Sequence, residues 1–343
     1  MKRLLAIILA VVVVVAGIVY YFIDSRSYVA KVGGQKIKTY EYVFFLRAQK
    51  QVTESEAGVT SEQEKKELWE TAVDGEDPVV IVMNQALENA KEFKVQIIKA
   101  QQAKFKLSDT ERKEINQYLN SWLENTENRN YVTNEIGISL SQFKDLMMKS
   151  QLVSRFAYDY MQKNSDAVTV SDEDVQKYYS ENRKKIDDVT VRHILISVDE
   201  NMNEKQKTEK MKLAEELLER IENGEDMAAL AREYSDDPGS KDTGGVYTFK
   251  YSEPYAQEFK DWAFTAEPGE TGIVETRFGY HIMRLEDRST FEDKKELARS
   301  KLKANKLNEY YQNTVKEWLN DPGFNLVKNE KTLNRITKKA FER

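Results

Sequence analysis

The feature that most constrains the fold is a long apolar run near the start of the sequence. Residues 4–23 are 20 successive positions without a charged side chain, and only Gly17 among them falls outside the apolar set. At a rise of about 1.5 Å per residue, a helix of this length spans about 30 Å, the thickness of a bilayer's hydrocarbon core. The run therefore predicts one transmembrane helix, and residues 1–24 are assigned as an N-terminal membrane anchor.

Charges on either side of the run predict its orientation. Lys2 and Arg3 precede it, so the positive-inside rule predicts a cytoplasmic N-terminus, with the bulk of this single-pass chain on the extracytoplasmic side of the cell membrane. A cleaved signal peptide is the alternative, but its apolar region should be only about 7–15 residues long. The best cleavage site, residues 14–16, lies inside the run, which favours an uncleaved anchor over a signal peptide or a buried core helix.

Composition excludes several classes of function. The 343 residues carry 52 Lys and Arg against 58 Asp and Glu, a net charge of −6, whereas nucleic-acid binding needs a clustered cationic surface. Cysteine is absent, which excludes disulfides, thiolate metal sites and cysteine nucleophiles. Only two histidines occur, and neither belongs to an H-x-x-x-H or H-E-x-x-H helix. We therefore predict no metal and no cofactor, although two histidines and one Asp remain a conceivable metal site.

Helical periodicity dominates the first half of the chain. Residues 28–37 alternate apolar and polar side chains around a Gly-Gly turn, as in a small hairpin, and a helix is predicted to begin at Thr39. From residue 78 to about 163 the pattern is helical, with a capping box between Ser108 and Glu111. Residues 25–168 are predicted to form the N-terminal part of an all-α, chaperone-like domain.

The segment from 189 to 286 has a different pattern, with predicted elements in the order β, α, α, β, α, β, β. Its third helix is predicted to be capped by Ser252, and its last two strands flank residues 278–279. One long helix follows and ends at Pro322. The fold class is therefore α+β. Residues 169–288 form a domain inserted into the helical one, and residues 289–343 pack back on the helical domain.

Both histidines lie in this segment, on strands that can pair. His193 shares a strand face with Val191 and Leu195, and His281 shares one with Met283. An imidazole on an apolar strand face is commonly a hydrogen-bonded core residue, so each histidine alone is weak evidence for a site. Their concentration in one segment favours a shared site. Neither a G-x-S-x-G nucleophile elbow nor a glycine-rich phosphate loop is present.

Several short motifs in this segment carry a family resemblance. They are VRHILI at 191–196, AREYSDDPGSK at 231–241, GG at 244–245, EFKDWAF at 258–264, PGE at 268–270 and FGYHI at 278–282. In this order they resemble a parvulin-type (PpiC, rotamase) peptidyl-prolyl cis-trans isomerase domain, a small antiparallel sheet surrounded by helices. The anchor and the helical flanks resemble the membrane-anchored PrsA and SurA class of foldases.

The resemblance implies site residues position by position. His193, His281, Asp237 and Thr276 match the family's catalytic positions, and Phe259, Tyr255 and Tyr247 match its substrate-binding positions. Met283 is a further candidate for the wall of the substrate-binding pocket, and the alternative is that it belongs to the core. One departure stands out. The family's usual Gly-Gly-Asp-Leu-Gly reads Gly-Gly-Val-Tyr-Thr at 244–248, so Tyr247 replaces a leucine in the expected proline pocket.

The function implied is an extracytoplasmic prolyl isomerase and foldase that assists the folding of exported proteins. Its partners would be unfolded or nascent exported polypeptides with X–Pro bonds, and the membrane through the N-terminal helix. The alternative is a non-catalytic holdase whose parvulin domain only binds peptide, which the departure at 244–248 favours. A membrane-tethered scaffold has no support in the sequence. Client identity and oligomeric state stay open.

Overall fold

A computed structural model describes residues 27–341, which divide into two compact units. The first unit comprises the chain up to Asp166 together with the chain from Leu307 onward, and the second comprises Ala167–Lys306. The fold is a mixture of helix and sheet. The predicted membrane anchor, residues 1–24, lies outside the described residues. Between residues 27 and 341, no helix is long and apolar enough to cross a bilayer.

The first unit is mainly helical. Its long helices bury apolar stripes, and several begin at capping boxes, including the predicted one in which Ser108 and Glu111 each accept the other's backbone N–H. A π-helix, Tyr131–Ile136, lies just before the helix Leu140–Lys163. The helices are α1 (Thr39–Glu56), α2 (Glu62–Glu70), α3 (Pro78–Gln102), α4 (Asp109–Trp122), α5 (Thr126–Asn130), α6 (Leu140–Lys163) and α12 (Glu330–Phe341).

The prediction of an all-α first domain is wrong, because this unit also holds a three-stranded antiparallel sheet. The predicted hairpin is present as β1 (Tyr28–Val32) and β2 (Gln35–Lys38), with Gly33 and Gly34 at positive φ in the turn. A third strand, β7 (Val327–Lys328), pairs with β1. A two-residue strand has no detectable periodicity of its own, so the sequence contains no signal for it.

The second unit is built on a four-stranded antiparallel sheet in the order β4-β3-β6-β5, and its elements follow the predicted order. The prediction that Ser252 caps the third helix is wrong. That helix begins at Gln257, and residues 251–256 form turns after β4 instead. The elements are α7 (Asp172–Ile186), β3 (Asp188–Ser197), α8 (Glu204–Glu222), α9 (Met227–Tyr234), β4 (Val246–Lys250), α10 (Gln257–Thr265), β5 (Thr271–Thr276) and β6 (Gly279–Arg288).

Each face of this sheet covers its own apolar cluster, as strand alternation requires. Ile194 and Ile282 point to one face, where α8 and α9 pack on them. Val191 and Met283 point to the other, where they meet Phe259 of α10. The long helix α11 (Phe291–Asn320) follows β6, with residues up to 306 in the second unit and the remainder in the first.

Candidate active site

The two histidines meet at the centre of the four-stranded sheet. In the β3–β6 ladder, His193 lies opposite Met283 and His281 lies opposite Leu195, so the histidines are diagonal neighbours on one face. Their rings are nearly parallel, with centroids 5.4 Å apart and planes 20° apart, and the two Nδ1 atoms are 3.3 Å apart. Both side chains are buried. The sequence-based expectation that the strands bring the rings together is correct.

Asp237 reaches the same place from the loop after α9. Its Oδ2 atom is 3.1 Å from His193 Nε2 and accepts hydrogen bonds from the hydroxyls of Ser240 and Tyr247, the latter at 2.9 Å. On the other side, Thr276 Oγ1 is 2.9 Å from His281 Nε2. These six residues therefore form one continuous hydrogen-bonded network across the sheet.

The direction of the hydrogen bonds follows from the groups at the two ends. An ionised carboxylate only accepts, so His193 donates its Nε2–H to Asp237, and its Nδ1 accepts a hydrogen bond from the Nδ1–H of His281. His281 Nε2 is then an acceptor for the Thr276 hydroxyl, which itself accepts the backbone N–H of Phe278. Every polar atom of both rings is satisfied with both imidazoles neutral.

The pKa shifts agree with this assignment. The hydrogen bond from His193, with those from Ser240 and Tyr247, holds the pKa of Asp237 well below its usual range. Burial, with the neighbouring His193, lowers the pKa of His281 to about 4. Burial and the bond to Asp237 raise the pKa of Tyr247 to about 12, so its hydroxyl keeps its proton.

Two glycines allow the loop to approach His193 closely. Gly245 has a φ of +81°, and its carbonyl oxygen accepts the His193 N–H at 2.8 Å. A Cβ at this position would lie 2.2 Å from the His193 carbonyl oxygen, so only glycine fits. At Gly239, a Cβ would lie 2.2 Å from the Tyr247 hydroxyl oxygen. This glycine therefore makes room for the tyrosine that replaces the expected leucine.

Aromatic side chains enclose the histidine pair. The Phe259 ring contacts both imidazoles edge-on, with centroid distances of 5.3 Å to each. The Tyr255 ring stacks on Phe259 at 5.8 Å and also contacts Tyr247 at 5.4 Å. As a result Phe259 is only 3% exposed. Tyr247 and Tyr255 are half-buried and form the accessible surface of the site.

Seven of the eight residues singled out from the sequence thus lie together, and Met283 is the exception. It is fully buried on the same sheet face, opposite His193 in the β3–β6 ladder and within the cluster that includes Phe259 and Leu285. Since it has no exposed surface, it supports the site from the core. Its position therefore matches the alternative of a core residue and not that of a pocket wall.

Two serines that the sequence reasoning left without a role belong to the site. Ser240, 1% exposed, bonds to both Asp237 and His193. Ser235, which is fully buried, accepts the backbone N–H groups of Leu195 and Asp237 and so ties the loop to β3. The available signal was the spacing S-x-D-x-x-S at 235–240, in which both serines flank the acidic residue. Within residues 27–341, no cluster of His, Asp and Glu has the arrangement of a metal site.

Comparison with known proteins identifies this domain. Residues 176–289, which contain the whole hydrogen-bonded chain, match the family model of the PPIC-type PPIase domain. The foldase protein PrsA of Caldanaerobacter subterraneus subsp. tengcongensis is 28% identical over 291 residues, which are 83% of this chain and 83% of that protein. The chain is similar to PrsA foldases over most of its length and contains a parvulin-type prolyl isomerase domain.

Further relatives resemble this foldase over similar lengths. PrsA of Clostridium botulinum (strain Hall) is 27% identical over 311 residues, 86% of each chain. The crystal structure of PrsA from Bacillus cereus is 24% identical and covers 83% of this chain and 98% of that one, with a TM-score of 0.32. The relatives thus extend beyond the parvulin-type domain into its flanks.

Proposed function

We propose that the hydrogen-bonded histidine pair is the catalytic centre at which this foldase interconverts cis and trans X–Pro bonds in unfolded exported polypeptides. The observation that carries the proposal is the continuous chain from Thr276 through both histidines to Asp237, set against an aromatic wall. Its buried polar atoms are satisfied internally, which makes it rigid. A rigid, preorganised set of dipoles is suited to stabilising a charge redistribution without forming a covalent bond.

The reaction needs only a modest contribution from the protein. Rotation about a peptide bond has a barrier of about 18–20 kcal/mol because resonance gives the C–N bond double-bond character. In the twisted transition state the nitrogen regains its lone pair and the amide loses its resonance. Binding this state better than the planar one by about 4 kcal/mol would speed exchange about a thousandfold.

The aromatic wall supplies the surface for the proline ring. Tyr247 and Tyr255 present half-buried faces, and Phe259 lies beneath Tyr255. The Tyr255 hydroxyl has no hydrogen-bond partner among residues 27–341, so only ring packing holds it. We infer that Tyr255 turns aside when a proline ring enters and that the ring then seats on Phe259.

Asp237 sets the electrostatics at the edge of this pocket. Its side chain is 18% exposed, and its pKa lies well below the usual range because three donors bind one oxygen. It therefore stays ionised beside the twisting amide. A fixed negative charge there disfavours the resonance form with negative charge on the nearby carbonyl oxygen and so favours the twisted amide.

The isomerisation rate of an X–Pro peptide, measured by NMR exchange with the full chain, tests the assignment. His193→Ala and Asp237→Ala should lower kcat/KM at least tenfold. Asp236→Ala is the matched control, because the neighbouring Asp236 bonds to Ser197 at the end of β3 and not to a histidine. Equal rates in all three variants and the unaltered chain would place catalysis elsewhere.

A holdase without isomerase activity is the second candidate, and the cover of Tyr255 over Phe259 favours it. If that cover does not open, the domain can bind peptide only on its tyrosine surface. The holdase predicts undetectable isomerisation together with suppressed aggregation of an unfolded client. Suppression that survives Asp237→Ala and is lost on removing the helical flanks would favour this second candidate.

The membrane anchoring and orientation of the chain belong to the same proposal. We place residues 1–24 in the membrane as an uncleaved anchor and the remaining chain on its extracytoplasmic side, from the length of the apolar run and the charges before it. Because the chain has no cysteine, a single cysteine introduced at an exposed site such as Lys113 gives an unambiguous probe. Labelling of intact cells by a membrane-impermeant maleimide is expected, and protection until lysis would contradict the orientation.

The domain boundaries also remain a proposal: 25–168 and 289–343 form one helical domain, with 169–288 inserted as the parvulin-type domain. The compactness of Ala167–Lys306 supports it. So do ring contacts within the first unit, where Tyr160 of α6 meets Tyr311 and Trp318 of α11. Limited proteolysis should release a fragment near 170–290 while the flanks stay associated. Flanks that separate freely would refute the insertion.

A further inference from the structure

A crevice in the first unit lies outside the histidine site and has a composition of its own. It has a volume of about 580 Å³ and is bounded by the loop that joins α3 to α4 and by one face of α6. The α6 residues that line it, from Asp145 to Leu152, are spaced at i, i+3, i+4 and i+7, which is a single helical face. We name it the α3–α6 crevice.

The inner surface of the α3–α6 crevice is apolar. Along the loop, exposure alternates residue by residue: Phe105 and Leu107 turn inward while their neighbours are exposed. Met148 and Leu152 of α6 face them and are half-buried. This surface can accept large apolar side chains of a ligand.

The rim of the crevice is cationic and largely unpaired. Lys104, Lys106 and Arg112 are exposed, and within residues 27–341 none of their side chains forms an ion pair or hydrogen bond. The single carboxylate of the lining, Asp145, is already bound by Lys149. A local excess of positive charge is unusual in a chain whose net charge is −6, so it indicates an anionic ligand.

The turn that ends α3 places one of these cations at the rim. Lys104 follows the end of α3 with a φ of +55°, in the left-handed region where a helix commonly ends. The Phe105 N–H donates to the Ala100 carbonyl oxygen across this turn. The same turn directs Phe105 into the crevice while Lys104 stays exposed.

We propose that the α3–α6 crevice binds an extended polypeptide segment in which an acidic residue stands next to large apolar residues. Side chains of an extended chain point alternately to opposite sides. Such a segment can therefore set an apolar side chain on Phe105 and Leu152 while a carboxylate beside it meets Lys106 or Arg112. The source of the segment, an unfolded client, rests on the proposed foldase function, but the binding itself requires no proline.

Fluorescence anisotropy of the full chain with a labelled, proline-free peptide of alternating Glu, Phe and Leu tests the proposal. The double variant Lys106→Glu with Arg112→Glu should weaken binding at least tenfold. Lys113→Glu is the matched control for the Arg112→Glu substitution taken singly. It makes the same charge change one position away on α4, outside the crevice lining, and should alter binding less than twofold. Leu152→Gln should weaken binding while leaving the rim charges intact.

Three outcomes would overturn the proposal. One is equal affinity for the acidic peptide and its Glu→Gln counterpart. Another is equal weakening by Lys113→Glu and the double variant. The third is saturable binding of laurate, an anionic amphiphile, at the crevice while the acidic peptide does not bind. Isomerase activity separates this proposal from the previous one: the crevice variants should retain it, and His193→Ala should lose it while still binding the acidic peptide.

Discussion

The hydroxyl of Tyr247 offers the sharpest test of how Asp237 is held. Tyr247→Phe keeps the aromatic wall and removes only the donor that lies 2.9 Å from Asp237 Oδ2. A hydrogen bond to a charged group contributes about 1.5–3 kcal/mol to stability. Asp237 is 18% exposed and keeps its bonds to His193 and Ser240, so water and the remaining donors offset part of the loss. We expect the free energy of unfolding at pH 7 to fall by about 1–2 kcal/mol.

The same energy sets the expected rate effect. If the phenol fixes Asp237 in the orientation that favours the twisted amide, losing about 1–2 kcal/mol lowers kcat by a factor of about 5–30. KM should change little, because the ring that faces the substrate is retained. Tyr255→Phe is the matched control, since its hydroxyl bonds to nothing within the described part of the chain. Isomerisation kinetics and urea denaturation of both variants measure these quantities.

The pH dependence of the unfolding free energy tests whether Asp237 is ionised in the folded protein. Asp237 has a pKa in the folded protein below its value of about 3.9 in the unfolded chain, so its stabilising contribution is present above about pH 4 and is lost as the pH falls through the folded-state pKa. The stability gap between Tyr247→Phe and the unaltered chain should therefore close in acid. A gap that persists unchanged in acid, or a Tyr247→Phe variant indistinguishable from Tyr255→Phe at pH 7, would refute the reasoning.

Three further predictions concern neighbouring parts of the site. Thr276→Val removes the donor to His281 Nε2, so kcat should fall about tenfold. The ¹⁵N chemical shift of that nitrogen should also change in histidine-labelled protein, and an unchanged spectrum would contradict the assigned tautomer. Gly245→Ala should cost more than about 3 kcal/mol in unfolding free energy, because its Cβ would meet the His193 carbonyl, whereas Gly224→Ala, at a similar φ with open space, should cost only about 1–2 kcal/mol. Burial lowers the pKa of His281 from 6.5 to about 4. The contribution of the neutral imidazole to the unfolding free energy should therefore be fully present above pH 6.5 and fall by about 3 kcal/mol by pH 4. Urea unfolding of His281→Gln should lack this decline.

Local patterns predicted most of the parvulin-type domain because its strands alternate cleanly and its helices begin at polar caps. The position of His193 on β3 and of His281 on β6 followed from that alternation. Pairing of the strands then placed the two rings together. Local patterns left two roles open for Met283, a wall of the pocket or part of the core. It occupies the same strand face as His281, and only the packing of Phe259 over that face decides which side chains are covered.

The role of Tyr247 shows a second limit of sequence reasoning. The family resemblance predicts that Tyr247, in place of a leucine, lines the pocket. That prediction describes its ring but not its hydroxyl. The bond to Asp237 depends on the path of the loop at Gly239, where the missing Cβ leaves room for the phenol oxygen. Two residues eight positions apart thus form one feature that periodicity cannot reveal. The same holds for Ser240, whose burial depends on that loop.

The geometry of the histidine pair also limits how many protons it can hold. With both rings neutral, one Nδ1 donates to the other across 3.3 Å. One added proton can be accommodated if His193 Nδ1–H becomes the donor to His281 Nδ1. His281 then carries its own proton on Nε2 and donates a hydrogen bond to Thr276 Oγ1, which has a second lone pair. A second proton would set two N–H groups against each other at that distance. The pair therefore takes up one proton at most in this arrangement, so doubly charging it requires the two rings to move apart. The absence of any other histidine means that an imidazole titration of this chain reports on this pair alone.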